Sequence, residues 1–163
     1  LTYNGEDPSP ALTIYCDADW ATDPEDRHSR SGVVCFLGKN LLSWSSRKQS
    51  TPSVSSCEAE YVSLFEAGET IFWIRSLLCE LELCPGSTPT QITHDNKGSI
   101  AWAEGGLRKV KHVELKYHHS QYLISTGQIK ISYVASALNA ADCMTKALTG
   151  TFFQRSLQFL NIT

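Results

Sequence analysis

Leu12-Thr13-Ile14-Tyr15-Cys16-Asp17 alternates apolar and polar side chains, the period-two pattern of a half-buried β-strand. A turn-rich stretch through Asp23, Pro24, Asp26 and Gly32 follows it. Residues 33–37 and 41–44 then read as two more strands, joined at Gly38-Lys39-Asn40, which is a hairpin signal. An antiparallel meander is therefore the first layer of the fold.

A long helix comes next. Ser55 and Glu58 have the spacing of a capping box, in which the serine caps the helix and the glutamate reaches back. Tyr61, Leu64, Phe65, Gly68, Phe72, Leu77, Leu78 and Leu81 recur at helical spacing, and Pro85-Gly86 ends the run. Residues 91–94 form a short predicted strand running into Asp95-Asn96, with a short helix over 97–103. Val113, Tyr117, Tyr122 and Leu123 mark a second longer helix closed by Thr126-Gly127. Ile129, Ile131 and Tyr133 alternate as a last strand, and residues 139–160 read as helical with a break near Thr149-Gly150. Three strands, a helix, a strand, one or two helices, a strand and a final helix predict an α/β fold on a mixed sheet.

At 163 residues the chain fits one domain with a core of its own, residues 1–10 being a loose lead-in and 149–163 a helical tail. It starts at Leu1 and reads as a piece of a longer protein. No apolar run reaches the roughly 18 residues that a membrane helix needs. The six cysteines (Cys16, Cys35, Cys57, Cys79, Cys84, Cys143) show no zinc-site spacing and are read as reduced, structural thiols of an intracellular protein. A net charge of -3 argues mildly against a nucleic-acid binder. The distribution matters more than the sum, because acids gathered at a metal site lower the total without weakening basic clusters. Such clusters occur at Arg47-Lys48 and at Arg108, Lys109, Lys111 and Lys116.

Four carboxylates fall at positions from which a sheet can bring them together. Asp17 is near the end of the first strand, Glu60 in the first turns of the long helix, Asp95 at the end of the fourth strand and Asp142 at the start of the last helix. Hard divalent cations take oxygen ligands, and a pair of such ions about 4 Å apart needs several carboxylates from different elements. Pattern alone leaves Asp17 and Asp19 interchangeable, since residues two apart on a strand share a face. Glu58 and Glu60 pose the same choice, although the capping box already accounts for Glu58. Asp95-Asn96 also suits a turn, and Asp142 suits a helix N-terminus. The tryptophans Trp20, Trp44, Trp73 and Trp102 are read as core or packing residues, and His112, His118 and His119 as solvated groups or phosphate contacts.

Tyr15-Cys16-Asp17-Ala18-Asp19-Trp20-Ala21 resembles the opening strand of the ribonuclease H domains of copia-like LTR-retrotransposon polyproteins. Arg30-Ser31-Gly32, Leu42-Ser43-Trp44-Ser45-Ser46-Arg47-Lys48-Gln49 and Ser55-Ser56-Cys57-Glu58-Ala59-Glu60-Tyr61 are similar to the segments that follow there. Asp95-Asn96 with Ser99-Ile100, Lys111-His112-Val113-Glu114, Tyr117-His118 and Ala141-Asp142 with Thr145-Lys146 continue the series in order, over nearly the whole chain. Many cellular ribonucleases H carry a histidine in the loop before the last acid. The stretch Val134-Ala135-Ser136-Ala137-Leu138-Asn139 has none.

The resemblance implies a ribonuclease H-like fold, a five-stranded mixed sheet with three antiparallel strands first and helices flanking it. It implies an endoribonuclease that hydrolyses the RNA strand of RNA/DNA hybrids during reverse transcription. Asp17, Glu60, Asp95 and Asp142 would be the catalytic and metal-binding residues, with two Mg²⁺ (or Mn²⁺) per site. The first aspartate would bridge both ions, the last would help hold the ion that activates water, and the other two would hold the ion at the leaving oxygen. Substrate contacts are expected from Ser45, Ser46, Arg47, Lys48, Gln49, Asn96, Lys111 and His112, with hydroxyls, amides and basic groups gripping the hybrid backbone. The implied partners are the hybrid and the polymerase domain of the same polyprotein, with no membrane. The expected place is the cytoplasm, within virus-like particles. A non-catalytic or domesticated module of the same fold, binding nucleic acid or bracing a polymerase, is the alternative.

Overall fold

The computed structural model describes residues 3, 5, 11–83, 86–106 and 114–162. The first meander is β1 (Leu12–Asp19), β2 (Arg30–Leu37) and β3 (Asn40–Lys48). There follow α1 (Ser56–Glu80), β4 (Thr90–His94), α2 (Lys97–Ala101) with a π-turn over Trp102–Gly106, α3 (Glu114–Ser125) and β5 (Ile129–Tyr133). A 3₁₀ turn (Ser136–Leu138), the short α4 (Asp142–Thr145) and α5 (Gly150–Phe159) complete the order. The sheet runs β3-β2-β1-β4-β5, with β1, β2 and β3 antiparallel and β4 and β5 parallel to β1. This is the mixed sheet expected from the sequence.

Each face of the sheet has its own core. On one, Ile14, Cys16, Val33, Cys35 and Ile92 pack against Tyr61, Leu64, Ala67, Ile71, Ile74 and Leu78 of α1, with Leu123 of α3. On the other, Val34, Phe36 and Leu41 meet Ala140, Ala141 and Leu160 from the C-terminal segment. Fully burying a side chain of this size contributes about 1.5–3 kcal/mol, so the α1 face dominates. Gln49 joins these layers. Its buried amide donates to Ser31 Oγ and to the Ala59 carbonyl, both at 2.9 Å, and so ties the end of the meander to the start of α1.

Several expectations change. The buried stripe of α1 is Tyr61, Leu64, Ala67, Ile71, Ile74 and Leu78, whereas Phe72, Leu77 and Leu81 point outward. Two apolar stripes run along this helix, and only one can face the sheet. Trp73 is 60% exposed and Trp44 56%, so neither is a core residue, and Trp20 is likewise exposed. The third strand, expected over 41–44, runs on through residues 45–48 at the edge of the sheet, so of the expected contacts in this segment only Gln49 lies beyond it. Cys79 is disulfide-bonded, while Cys16, Cys35, Cys57 and Cys143 are free. The expectation of reduced thiols came from compartment, which says nothing about how closely two sulfurs approach. Lys111 and His112 lie outside the described residues.

One close approach positions the last acid. Asp17 pairs with Gly32 across the β1–β2 ladder, and α4 lies directly on that glycine. A β-carbon at Gly32 would meet Met144 Cβ at 2.7 Å, the Ala141 carbonyl oxygen at 2.9 Å and Thr145 Cγ2 at 2.9 Å. Gly32→Ala should therefore lower stability by about 2–3 kcal/mol in urea denaturation, the scale of overpacking in a tight interior. An unchanged midpoint and slope would show that α4 can give way freely.

Candidate metal centre

The β1–β4 ladder is short: Thr13, Ile14 and Tyr15 pair with Gln91, Ile92 and Thr93. Beyond Tyr15 and Thr93 the parallel strands part. Asp17 and Asp95 each lie two residues past that last pair, on the side the pair faces. Their ends open a crevice of the kind in which α/β sheets hold ligands. Helix α1 closes it from one face of the sheet, and α4 from the other.

Asp17 is 2% exposed and sits at the centre. Its carboxylate accepts a short hydrogen bond from the Thr145 hydroxyl, and Lys146 Nζ lies 3.9 Å from Oδ2. Burial pushes its carboxyl up to about 6 against these two partners, and the charges of Asp95 and Asp142 add to the rise. Asp19 lies nearer the surface and shows a smaller upward shift, caused by burial and Asp142 and opposed by Lys146. Of the two aspartates, Asp17 is the one that Thr145 bonds.

Glu60 enters from α1. Its Oε2 accepts from the Ala18 amide at 3.0 Å. Burial, with repulsion from Asp17 and then Asp95, pushes its carboxyl up to about 9. Glu58 is occupied elsewhere. The Ser55 hydroxyl caps α1 by accepting from the Glu58 amide at 3.2 Å, while the Glu58 carboxylate accepts from the Val54 amide at 2.8 Å. That return bond reaches one residue further back than the capping box expected here.

Asp95 is held by Asn139, whose Nδ2 donates to its Oδ1 at 3.2 Å and to the Cys16 carbonyl at 2.9 Å. Asp142 opens α4 and is paired with Lys146 at 2.5 Å. Thr145 and Lys146 thus join Asp17 to Asp142, Asn139 ties Asp95 to the Cys16 carbonyl, and Asp17, Glu60 and Asp95 feel one another's charge. These three linkers were in the sequence only as neighbours of Asp142, without a role of their own.

Ligand atoms of Glu60, His94 and Asp95 lie within 4.8 Å of one another. His94 does not suit a ligand role. It is fully buried, its Nε2 is 2.6 Å from Ser99 Oγ, and its Nδ1 is 3.1 Å from the Cys16 carbonyl oxygen. Burial pulls its pKa down, against the Cys16 carbonyl bond and the charge of Asp95. The remaining donors are carboxylate oxygens, the set that suits Mg²⁺ or Mn²⁺. Buried carboxylates that raise one another's pKa, with one lysine opposing them, fit a cation as the missing counter-charge.

The expected substrate contacts divide. Ser46, Arg47 and Lys48 are exposed at the end of β3, and Ser45 is half-buried. Ser46 Oγ accepts from Arg30 at 3.3 Å, and Lys48 is paired with Asp23 at 2.6 Å and Asp26 at 2.7 Å. Gln49 is buried and structural, which corrects its assignment to a solvent-facing contact. Asn96 caps α2 by accepting from the Ser99 amide at 3.0 Å. His119 is turned to Glu69, at 2.8 Å, on the outer side of α1.

No protein-family model matches the chain. It is 34% identical over 155 residues to the "Retrovirus-related Pol polyprotein from transposon RE1" of Arabidopsis thaliana, covering 94% of this chain and 10% of that protein. With the RE2 polyprotein of the same plant it shares 36% over 146 residues, 88% of this chain and again 10% of the relative. The chain thus spans about a tenth of the length of these curated relatives. Among solved structures, the N-terminal RNase H domain of a Mycobacterium tuberculosis protein has a TM-score of 0.59 at 18% identity, covering 92% of this chain and 98% of that one. The foamy viral protease-reverse transcriptase in complex with an RNA/DNA hybrid has a TM-score of 0.61 at 16% identity, over 97% of this chain and 22% of that one. At these identities the structures show the fold alone, and the fold is that of ribonuclease H.

The raised carboxyls set a pH dependence. A carboxyl whose folded pKa exceeds its unfolded value keeps its proton in the native state longer than in the unfolded one. Stability then falls as pH rises through that window. For Glu60, moved from 4.5 to about 9, the window includes pH 7–8.5. In chelator, stability should drop there by about 1–2 kcal/mol, and Glu60→Gln should flatten the slope. A flat profile in the unmutated protein would contradict the electrostatics described here.

Proposed function

Homologous to a segment of the retrovirus-related Pol polyproteins of copia-type transposons, and built on the ribonuclease H fold, this chain is, we propose, a divalent-metal-dependent endoribonuclease that cuts the RNA strand of RNA/DNA hybrids. The observation that carries this reading is the convergence of Asp17, Glu60, Asp95 and Asp142 where β1 and β4 part. Two Mg²⁺ or Mn²⁺ ions bound there would supply an activated water and charge stabilisation at the scissile phosphate. Asp17, Glu60, Asp95 and Asp142 would hold them.

The chain's own residues do the positioning. Thr145 fixes the rotamer of Asp17, Asn139 fixes Asp95, and the Ala18 amide fixes Glu60. Preset ligands of this kind spare the reaction the cost of gathering charge at the moment of bond breaking. The exposed Ser46 and Arg47 at the end of β3, with Asn96, are proposed to grip the hybrid backbone. Lys111 and His112 join them in this proposal on the resemblance alone. Hydrolysis would leave a 5′-phosphate and a 3′-hydroxyl.

We place the activity beside the polymerase portion of a polyprotein, where it would remove the RNA template during reverse transcription inside virus-like particles. Among the described residues no helix is long and apolar enough to cross a membrane.

A labelled RNA/DNA hybrid incubated with Mg²⁺ or Mn²⁺ should be cut in its RNA strand, and chelator should stop the cutting. Asp17→Asn should lose roughly a hundredfold or more, because outer-sphere partners of metal ligands alone are worth 10–100-fold. The same variant should be no less stable without metal, since it removes a buried charge from a repelling cluster. Full activity in Asp17→Asn would sink the assignment.

A further inference from the structure

We infer that Lys146 is a built-in counter-ion on the Asp17–Asp142 half of the cluster, and that a divalent cation must displace it to bind there. The inference rests on the metal-site reading above. Lys146 Nζ lies 2.5 Å from Asp142 Oδ1 and 3.9 Å from Asp17 Oδ2. One ammonium therefore already occupies the space between two oxygens that a cation on this side would take. Two positive charges cannot share those oxygens without strong repulsion.

Among the described residues, the other half of the cluster has no cation in contact with it. Glu60 and Asp95 face the ring of His94, which is buried and bonded to Ser99 and to the Cys16 carbonyl. Their further contacts are the Ala18 amide and the Asn139 side chain, both neutral donors. The two halves thus differ in charge balance, although all four ligands are carboxylates.

Displacement is sterically easy. The Lys146 side chain is 42% exposed, and beside it opens a cavity bounded by Asp19, Thr22, Arg30 and Lys48. The ammonium can swing into that cavity and exchange its carboxylate partners for water. Cations then load unequally: one binds on the Glu60–Asp95 side without competition, and a second binds only as Lys146 leaves. A protein with a dry, empty cluster would carry the full repulsion of its acids between turnovers. Lys146 offsets part of that repulsion and gives way when a cation arrives.

The test is Mn²⁺ titration by calorimetry of the unmutated protein, Lys146→Gln and Lys146→Arg. The weaker of two Mn²⁺ sites should tighten about tenfold in Lys146→Gln and change little in Lys146→Arg, which keeps the charge. Metal-free Lys146→Gln should melt below the unmutated protein. Mg²⁺ titration of the unmutated protein, followed through the side-chain Cε and Nζ resonances of Lys146, needs no substitution to fold. Those resonances should move in step with the weaker site. Measurable binding with equal affinities in the Gln variant and the unmutated protein would overturn the counter-ion role and leave the metal site standing, as would Lys146 resonances that stay fixed at saturation. No Mn²⁺ binding by any of the three proteins would overturn the metal site itself and this inference with it.

Discussion

Repulsion among carboxylates buried at the parting of β1 and β4 is the constraint around which the rest of this structure is arranged. A lone carboxylate in such a place would take up a proton rather than stay charged. Glu60 is pushed furthest that way, and Asp17 in the same direction. The surrounding bonds limit the cost without removing it. Thr145, the Ala18 amide, Asn139 and Lys146 each satisfy one oxygen, and none of them is a second full charge except the lysine. Folding and cation binding therefore draw on the same few groups. The hydrophobic packing of α1 against the sheet is what holds the acids in place while the charge is unbalanced.

The loop between β5 and α4 shows how position can matter more than chemistry. Where many cellular ribonucleases H have a histidine, this chain runs Val134 to Asn139 without one. Asn139 sits at the end of that stretch and is buried. Its amide nitrogen bridges the Cys16 carbonyl and the Asp95 carboxylate, and its carbonyl oxygen accepts from the Ala141 amide at 3.1 Å. One side chain thus fastens β1, the end of β4 and the lead into α4 together. The stretch sets the spacing of three acids, whatever else it lacks.

Much of this was legible in the sequence, and the illegible parts share a cause. Strand alternation around Asp17 and the serine cap of α1 are local signals, and both appear in the structure. The choice between Glu58 and Glu60 was half legible, because a capping glutamate has a recognisable place. Trp73 and Gln49 were misread for the opposite reason. Whether a tryptophan on a two-striped helix is buried, or a glutamine after a strand is solvated, depends on what packs against it from far along the chain. Gly32 carries no chemistry at all, yet α4 reaches Asp17 only because that residue lacks a side chain. No acid-by-acid search would stop there.

The short β1–β4 ladder has a consequence for how this chain can change length. Asp17 and Asp95 meet because each lies two residues beyond the same paired rung, Tyr15 with Thr93. One residue inserted into or deleted from either strand, between rung and acid, would rotate that carboxylate to the opposite face. There it would point into the core on the other face of the sheet in place of its partner. The exposed bend at residues 24–27, by contrast, can lengthen at the surface without moving either acid. Insertions and deletions are thus excluded from two narrow windows of these strands, where the spacing from rung to acid matters as much as the acids themselves.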